Sequence, residues 1–161
     1  MMGATRVVFD CNVLLQGLAA PEGPAGHCVQ LAIDGKVTLF ISRSVLEELR
    51  EVTSRPKVIA KLHLIAERVE EFFEAIQIAA TLLEGFPETF IYSRDPDDAH
   101  YVNLAIAADA KLIVSRDKDL LDLMDASRPE ANDFQMRYPS LRILDPVGFL
   151  RDWDDSGHIQ P

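Results

Sequence analysis

The chain has 161 residues, 48% of them hydrophobic, and a formal net charge of −10 at pH 7. This length predicts one domain with a sizeable hydrophobic core, and the acidic balance argues against a broad basic surface for nucleic acid. No apolar run approaches the roughly 18 residues of a membrane-spanning helix, and the N-terminus lacks a signal-peptide pattern. The two cysteines, Cys11 and Cys28, are isolated in the sequence, which favours a reducing, cytoplasmic compartment.

Strands and helices alternate along the first half of the chain. A β-branched and aromatic run over residues 6–9 predicts a buried strand that delivers Asp10 at its carboxyl end. The next predicted elements are a helix over 13–20, a break at 21–24, a helix over 25–34, a strand over 37–41 and a helix capped by Ser42 or Ser44.

The second half continues the alternation. Apolar residues at helical spacing predict an amphipathic helix over 62–76, whose stripe is favoured as core, with part of it a candidate dimer surface. Further elements are a short strand within 77–83, a helix from Asp95, a strand over 112–115, a loop over 127–139, a strand over 141–144 and a helix from Asp145 to about 153. We therefore expect one α/β domain over residues 1–153, a three-layer α/β/α sandwich with a mostly parallel central sheet, and a frayed acidic tail over 154–161.

Clustered aspartates mark two helix starts between residues 94 and 121. Asp95, Asp97 and Asp98 open one predicted helix, and Asp117 and Asp119 follow the strand over 112–115. Taken singly, such residues are ordinary helix caps, since acids in a first turn satisfy free N–H groups and complement the helix dipole. Acids at the carboxyl ends of parallel strands are also candidates for a functional site.

Four acids from separate elements could converge in such a fold: Asp10, Glu48, Asp98 and Asp117. On the helix that Asp98 opens, positions 98, 101, 102 and 105 share one face. Because residues 101, 102 and 105 are apolar enough to pack on the sheet, Asp98 is expected to point inward. Two carboxylates about 4 Å apart repel by roughly 4 kcal/mol at an effective dielectric constant of 20. Such a cluster is therefore expected to hold a cation, and all-oxygen ligands favour Mg²⁺ or Mn²⁺.

The same segments resemble a known family. Val8-Phe9-Asp10-Cys11-Asn12, the Glu48-Leu49 helix, Asp95-Pro96-Asp97-Asp98 and Ser115-Arg116-Asp117-Lys118-Asp119-Leu120 are similar, in this order, to the motifs of PIN domains, and most of all to VapC-like toxins of toxin–antitoxin pairs. The resemblance runs from about residue 5 to residue 153. It implies a Mg²⁺- or Mn²⁺-dependent ribonuclease that cuts single-stranded RNA, with an antitoxin protein as partner and often a homodimeric state.

The resemblance also assigns roles to residues. Asp10, Glu48, Asp98 and Asp117 take the positions of the catalytic, metal-binding acids, and Asp119 is a possible further ligand. Asn12 and Ser115 are expected to orient Asp10 and Asp117. Many relatives carry Thr or Ser where this chain has Cys11, and Glu47 is the rival of Glu48.

Basic residues beside the acidic motifs, or on the least acidic helices, are the candidates for gripping RNA. They are Arg94, Arg116, Arg43, Arg50, Arg55 and Lys57.

Two other functions are compatible with parts of the pattern. The strand ending in Asp10 also resembles the start of haloacid-dehalogenase phosphatases, but that family requires a second aspartate where Asn12 stands. A PIN fold could also bind RNA or protein without cutting, although acids at all four motif positions argue against it.

Overall fold

The computed structural model describes residues 4–156. Its centre is a five-stranded sheet in the order β3-β2-β1-β4-β5, in which every neighbouring pair is parallel. The strands are β1 (Thr5–Phe9), β2 (Val37–Ser42), β3 (Thr81–Leu83), β4 (Leu112–Val114) and β5 (Arg142–Leu144). This confirms the predicted α/β class with a parallel central sheet.

Helices connect the strands and cover the sheet, and a 3-10 turn follows α7 at Asp122–Met124. The helices of the described part are α1 (Cys11–Ala19), α2 (Pro24–Ile33), α3 (Arg43–Thr53), α4 (Pro56–Leu62), α5 (Ala66–Ala79), α6 (Pro96–Ala108), α7 (Lys118–Leu121), α8 (Pro129–Arg137) and α9 (Pro146–Asp155). None of them is long and apolar enough to cross a bilayer.

Strand β1 lies at the centre of the sheet, and Val7, Val8 and Phe9 are buried. A continuous apolar run suits a parallel strand that is covered on both faces. The chain winds outward from β1 in both directions, so the strand order changes direction between β1 and β4. In open α/β sheets, ligands bind outside the carboxyl ends of the strands at such a switch point. Phe9 pairs with Val114 there, so the residues that follow β1 and β4 are brought together.

Two predicted elements of the middle of the chain have different bounds in the structure. The helix predicted over 62–76 begins only at Ala66, because Leu62 is the last residue of α4 and His63 ends that helix in a left-handed conformation with φ of 53°. The strand within 77–83 is only Thr81–Leu83, since α5 continues to Ala79.

The predicted loop over 127–139 contains α8. Pro129 occupies the start of this helix, where a residue without an N–H is well tolerated. Ala131 and Phe134 bury the inner face of α8, so tertiary packing stabilises a segment whose polar composition favours a loop.

The last helix, α9, extends to Asp155, about two residues beyond its predicted end. The predicted tail over 154–161 therefore begins inside a helix, and its residues 157–161 lie outside the described residues.

Candidate functional site

Four aspartates meet at the switch point between β1 and β4. Asp95, Asp98, Asp117 and Asp119 each offer a carboxylate oxygen, and these oxygens all lie within 4.8 Å of one another. Asp95 and Asp98 come from the start of α6, whereas Asp117 and Asp119 come from the start of α7, directly after β4.

Capping geometry explains how two of these carboxylates are held. Asp95 accepts a hydrogen bond from the backbone N–H of Asp97 at 3.1 Å, and Asp117 accepts one from the N–H of Asp119 at 2.8 Å. Both residues are therefore N-caps, as the sequence predicted. A carboxylate has two oxygens and capping occupies one of them, so the capping role and a ligand role are compatible.

Asp98 is not explained by capping. Its side chain is buried, with a relative exposure of 6%, and its Oδ2 atom has no hydrogen-bond partner among residues 4–156. Burial, together with the charges of Asp117 and Asp95, raises the pKa of Asp98 to about 8. A buried carboxylate oxygen without a partner is costly, which indicates that it faces a ligand. As predicted, Tyr101, Val102 and Ala105 pack on the same side of α6.

Asp10 adjoins this cluster from the end of β1. Its Oδ1 caps α1 by accepting from the N–H of Val13 at 2.8 Å, and its Oδ2 accepts from the hydroxyl of Ser115. The Ser115 oxygen in turn accepts from the N–H of Asp117 at 2.9 Å. Burial is the main cause that raises the pKa of Asp10 to about 6; the charge of Asp117 adds to it, and the bond from Ser115 opposes it.

Glu48 reaches the neighbourhood of Asp10 from α3. The hydroxyl of Tyr101 donates to Glu48 Oε2 at 3.3 Å and accepts from the backbone N–H of Cys11 at 3.1 Å. Tyr101 therefore connects Glu48 to the residue that follows Asp10. Glu47, the alternative to Glu48, lines a separate cavity with Ser42 and His100.

Sequence reasoning missed two members of this arrangement. Asp95 was interpreted only as a cap, although its place in the Asp95-Pro96-Asp97-Asp98 motif was a usable signal. Tyr101 was expected only to pack on the sheet. Its hydroxyl could not be placed from spacing, because the contact with Glu48 spans 53 positions.

The expected role of Asn12 is not seen. Its side chain is exposed, and among residues 4–156 it makes no hydrogen bond to Asp10, whose second oxygen is held by Ser115 instead.

Most of the basic residues proposed for RNA are paired with acids in the structure. Arg94 contacts Asp119 at 2.6 Å and Asp122 at 2.7 Å. The other pairs are Arg43 with Glu84, Arg50 with Glu70 and Arg55 with Glu51. Arg116 and Lys57 are exposed and make no ion pair within the described part of the chain.

The donor set fits a hard divalent cation. Within residues 4–156 the cluster consists of carboxylates alone, which suits Mg²⁺ or Mn²⁺ better than zinc. The unpartnered Asp98 oxygen is the position where such an ion would compensate buried charge.

Comparison with known proteins decides the family. A family model described as a PIN domain matches residues 6–119. The chain belongs to the PIN domain family. The matched span contains the aspartate cluster, Asp10 and Glu48, and membership of this family leaves the dehalogenase hypothesis without support.

Individual relatives agree with this PIN domain assignment. The chain is 28% identical over 151 residues to the uncharacterized protein MJ1680 of Methanocaldococcus jannaschii, and the match covers 92% of each chain. The structure is also similar to a chain in the crystal structure of VapBC2 from Rickettsia felis bound to a DNA fragment from their promoter. That match has a TM-score of 0.52 and 14% identity, and covers 88% of this chain and 98% of the other. At this identity the likeness supports the fold alone.

Proposed function

We propose that this PIN domain is a Mg²⁺- or Mn²⁺-dependent endoribonuclease that cuts single-stranded RNA. The observation that carries the proposal is the buried carboxylate of Asp98, whose Oδ2 has no hydrogen-bond partner among residues 4–156 and which offers an oxygen within 4.8 Å of three further carboxylates at the strand switch point. A non-catalytic binding module would gain nothing from this arrangement, since clustered carboxylates repel one another.

The residues that would hold the ion are Asp98, Asp117 and Asp119, together with Asp95, which the sequence did not predict as a ligand. Asp10 and Glu48 lie beside them. When bound, a divalent cation supplies charge neutralisation at a phosphodiester and an activated water.

The chain's own residues position these groups. Ser115 fixes both the carboxylate of Asp10 and the backbone of Asp117, and Tyr101 holds Glu48 toward the same crevice. Asp10 and Asp98 are buried, so their carboxylates are shielded from bulk water. Such fixed, partly desolvated groups stabilise developing charge more strongly than solvated ones.

We further propose that the chain is the toxin of a type II toxin–antitoxin pair and has an antitoxin protein as partner. The shape of the fold, shared with a chain of the Rickettsia felis VapBC2 structure, supports this idea. A homodimer remains part of the proposal. Val69, Phe73 and Ile76 of the apolar stripe suggested for its interface are buried within the chain, whereas Ile65 of the same stripe is 56% exposed.

A cleavage assay tests the function. The wild-type protein is incubated with end-labelled single-stranded RNA in Mn²⁺, and in parallel with excess EDTA. We expect products only with metal, and none from Asp98→Asn or Asp117→Asn. Asp133→Asn is the matched control, because Asp133 lies exposed on α8, where it pairs with Arg137. If folded wild type binds RNA but yields no metal-dependent product, the chain is a binding module and the nuclease proposal is wrong.

A further inference from the structure

A cavity of about 500 Å³ lies beside the aspartate cluster. Pro96 and Ala99, which flank Asp98 on α6, form part of its wall, and so does Glu47, the neighbour of Glu48. The cavity and the carboxylates therefore share the start of α6, and the neighbouring residues Glu47 and Glu48 of α3. Its volume lies in the range of small-ligand sites, and none of the roles assigned above uses it.

The outer wall of the cavity is a fixed loop. The segment over 84–95 connects β3 to α6 without regular structure. Asn103 clamps this loop to α6 by accepting from the N–H of Phe90 at 2.7 Å and donating to its carbonyl at 2.9 Å. Tyr92 anchors the loop's far end through its hydroxyl, which donates to the carbonyl of Asp119 at 2.9 Å. The cavity is thus preformed and tied to the aspartate cluster.

The lining suits a flat, neutral ring with polar edges. Phe86 and His100 lie with their ring centroids 5.3 Å apart. The Nε2 atom of His100 lies 2.7 Å from the hydroxyl of Ser42 and 3.1 Å from that of Ser44. Aromatic side chains beside hydroxyl groups are the means by which proteins stack and hydrogen-bond unpaired bases of single-stranded RNA.

Charge decides which part of a nucleotide enters. The acids of the wall are Glu47, Glu84 and Glu88, and the cation Arg43 is paired with Glu84 at 2.5 Å. A phosphate would be repelled here, whereas a base is neutral. Glu47 and Glu88 form no ion pair or hydrogen bond within residues 4–156, so their oxygens remain free to accept from a ligand.

We infer that this cavity binds an unpaired guanine base of the RNA strand whose phosphodiester lies at the aspartate cluster. Guanine presents an N–H and an amino group side by side, and a carboxylate accepts from both at once. Uracil places its single N–H between two carbonyl oxygens, which carboxylates repel. The inference rests on the proposed function for its substrate class, but it concerns binding and not cleavage.

Binding in EDTA tests it apart from catalysis. Fluorescence anisotropy is measured for short labelled oligouridylates that carry a single central guanosine, adenosine, cytidine or uridine. We expect the guanosine strand to bind at least fivefold more tightly than the uridine strand. Phe86→Leu, which keeps apolar volume but loses the ring, should weaken binding of the guanosine strand about tenfold.

The glutamates are tested by Glu88→Gln and Glu47→Gln, which should lower the ratio of guanosine-strand to uridine-strand affinity, because an amide accepts less well from guanine and no longer repels the carbonyl oxygens of uracil. Glu74→Gln, an exposed change on α5, is the control and should alter neither. Equal affinity for all four strands, or unaltered binding by Phe86→Leu, would overturn the inference. Guanosine-dependent binding without cleavage in Mn²⁺ would overturn the nuclease proposal and leave the base site standing.

Discussion

The hydroxyl of Ser115 donates to Asp10 while its oxygen accepts from the backbone N–H of Asp117. One side chain at the end of β4 therefore joins the carboxyl ends of the two strands between which the sheet changes direction. This link holds two acids that stand 107 positions apart in the sequence, and it is buried, since Ser115 has 0% exposure.

Ser115→Ala should raise the pKa of Asp10 while leaving its carboxyl group in place. The bond from Ser115 lowers the pKa of Asp10 against the effect of burial, so its loss raises that pKa further above about 6. If ionised Asp10 is required, the acidic limb of the cleavage pH–rate profile moves to higher pH. Ser54→Ala, on the exposed end of α3, is the control. An unshifted acidic limb would show that Ser115 does not tune Asp10.

The metal-free protein should become less stable as pH rises. The folded-state pKa values of Asp10 and Asp98 are raised from 3.8 to about 6 and about 8. A carboxyl group that binds its proton more tightly when folded loses that stabilisation as pH rises from the unfolded to the folded pKa. The free energy of unfolding should therefore fall between pH 4 and 8, by a few kcal/mol in order of magnitude. Thermal melts in EDTA measure it.

Asp98→Asn should flatten the upper part of that pH dependence, because an amide does not titrate. Asp133→Asn should leave it unchanged. A wild-type melting temperature that is constant between pH 6 and 8 would contradict the raised pKa of Asp98.

Mn²⁺ should raise the melting temperature of the wild-type protein. An ion that binds only the folded state stabilises it by about 2.7 kcal/mol at a concentration of 100 times its Kd. Asp98→Asn and Asp98→Ala should both reduce this shift, whereas Asp98→Asn should leave the metal-free protein as stable as wild type or more so. Differential scanning fluorimetry with and without Mn²⁺ gives the comparison. An undiminished Mn²⁺ shift in both variants would remove Asp98 from the metal site.

Tyr101→Phe should leave the carboxylate of Glu48 less well positioned. The change removes a donor to Glu48 and leaves the buried N–H of Cys11 without its acceptor, which costs about 1–3 kcal/mol of stability. If Glu48 acts in cleavage, kcat should fall with little change in KM. In a double-mutant cycle, Tyr101→Phe should have no further effect on kcat in a Glu48→Gln background. Additive losses would show that the two side chains act separately.

Arg94 and Arg116 should differ in their contribution to RNA binding. Arg94 is engaged by Asp119 and Asp122, whereas Arg116 is exposed and forms no ion pair within residues 4–156. Arg116→Gln should therefore reduce the salt dependence of RNA binding by about 0.7 in log–log slope, the value for one phosphate contact on a single strand. Arg94→Gln should leave that slope unchanged. A smaller slope for Arg94→Gln, with an unchanged slope for Arg116→Gln, would show that Arg94 and not Arg116 contacts the RNA.

The sequence by itself determined the strands and most helices, because apolar runs and periodic stripes carry that information locally. It also determined that Asp98 faces inward, since residues 101, 102 and 105 fix the buried side of α6. The Asp95 and Asp117 caps were equally predictable, as a cap depends on residues only two or three positions away. Helix α8 was not, because its stability comes from Phe134 packing against distant residues such as Phe90.

Only the tertiary structure decided which acids meet. Local sequence gives the direction of a side chain but not the distance between elements. Asp95 is therefore a member of the cluster that the sequence did not predict, whereas Asp10 and Glu48 lie beside the cluster. The tertiary structure also decided which basic side chains form ion pairs. Arg94 precedes an acidic motif in the sequence, but it pairs with Asp119 and Asp122 because α6 and α7 begin side by side in the fold. Pairing across the sheet switch point is a non-local event, and neither periodicity nor capping records it.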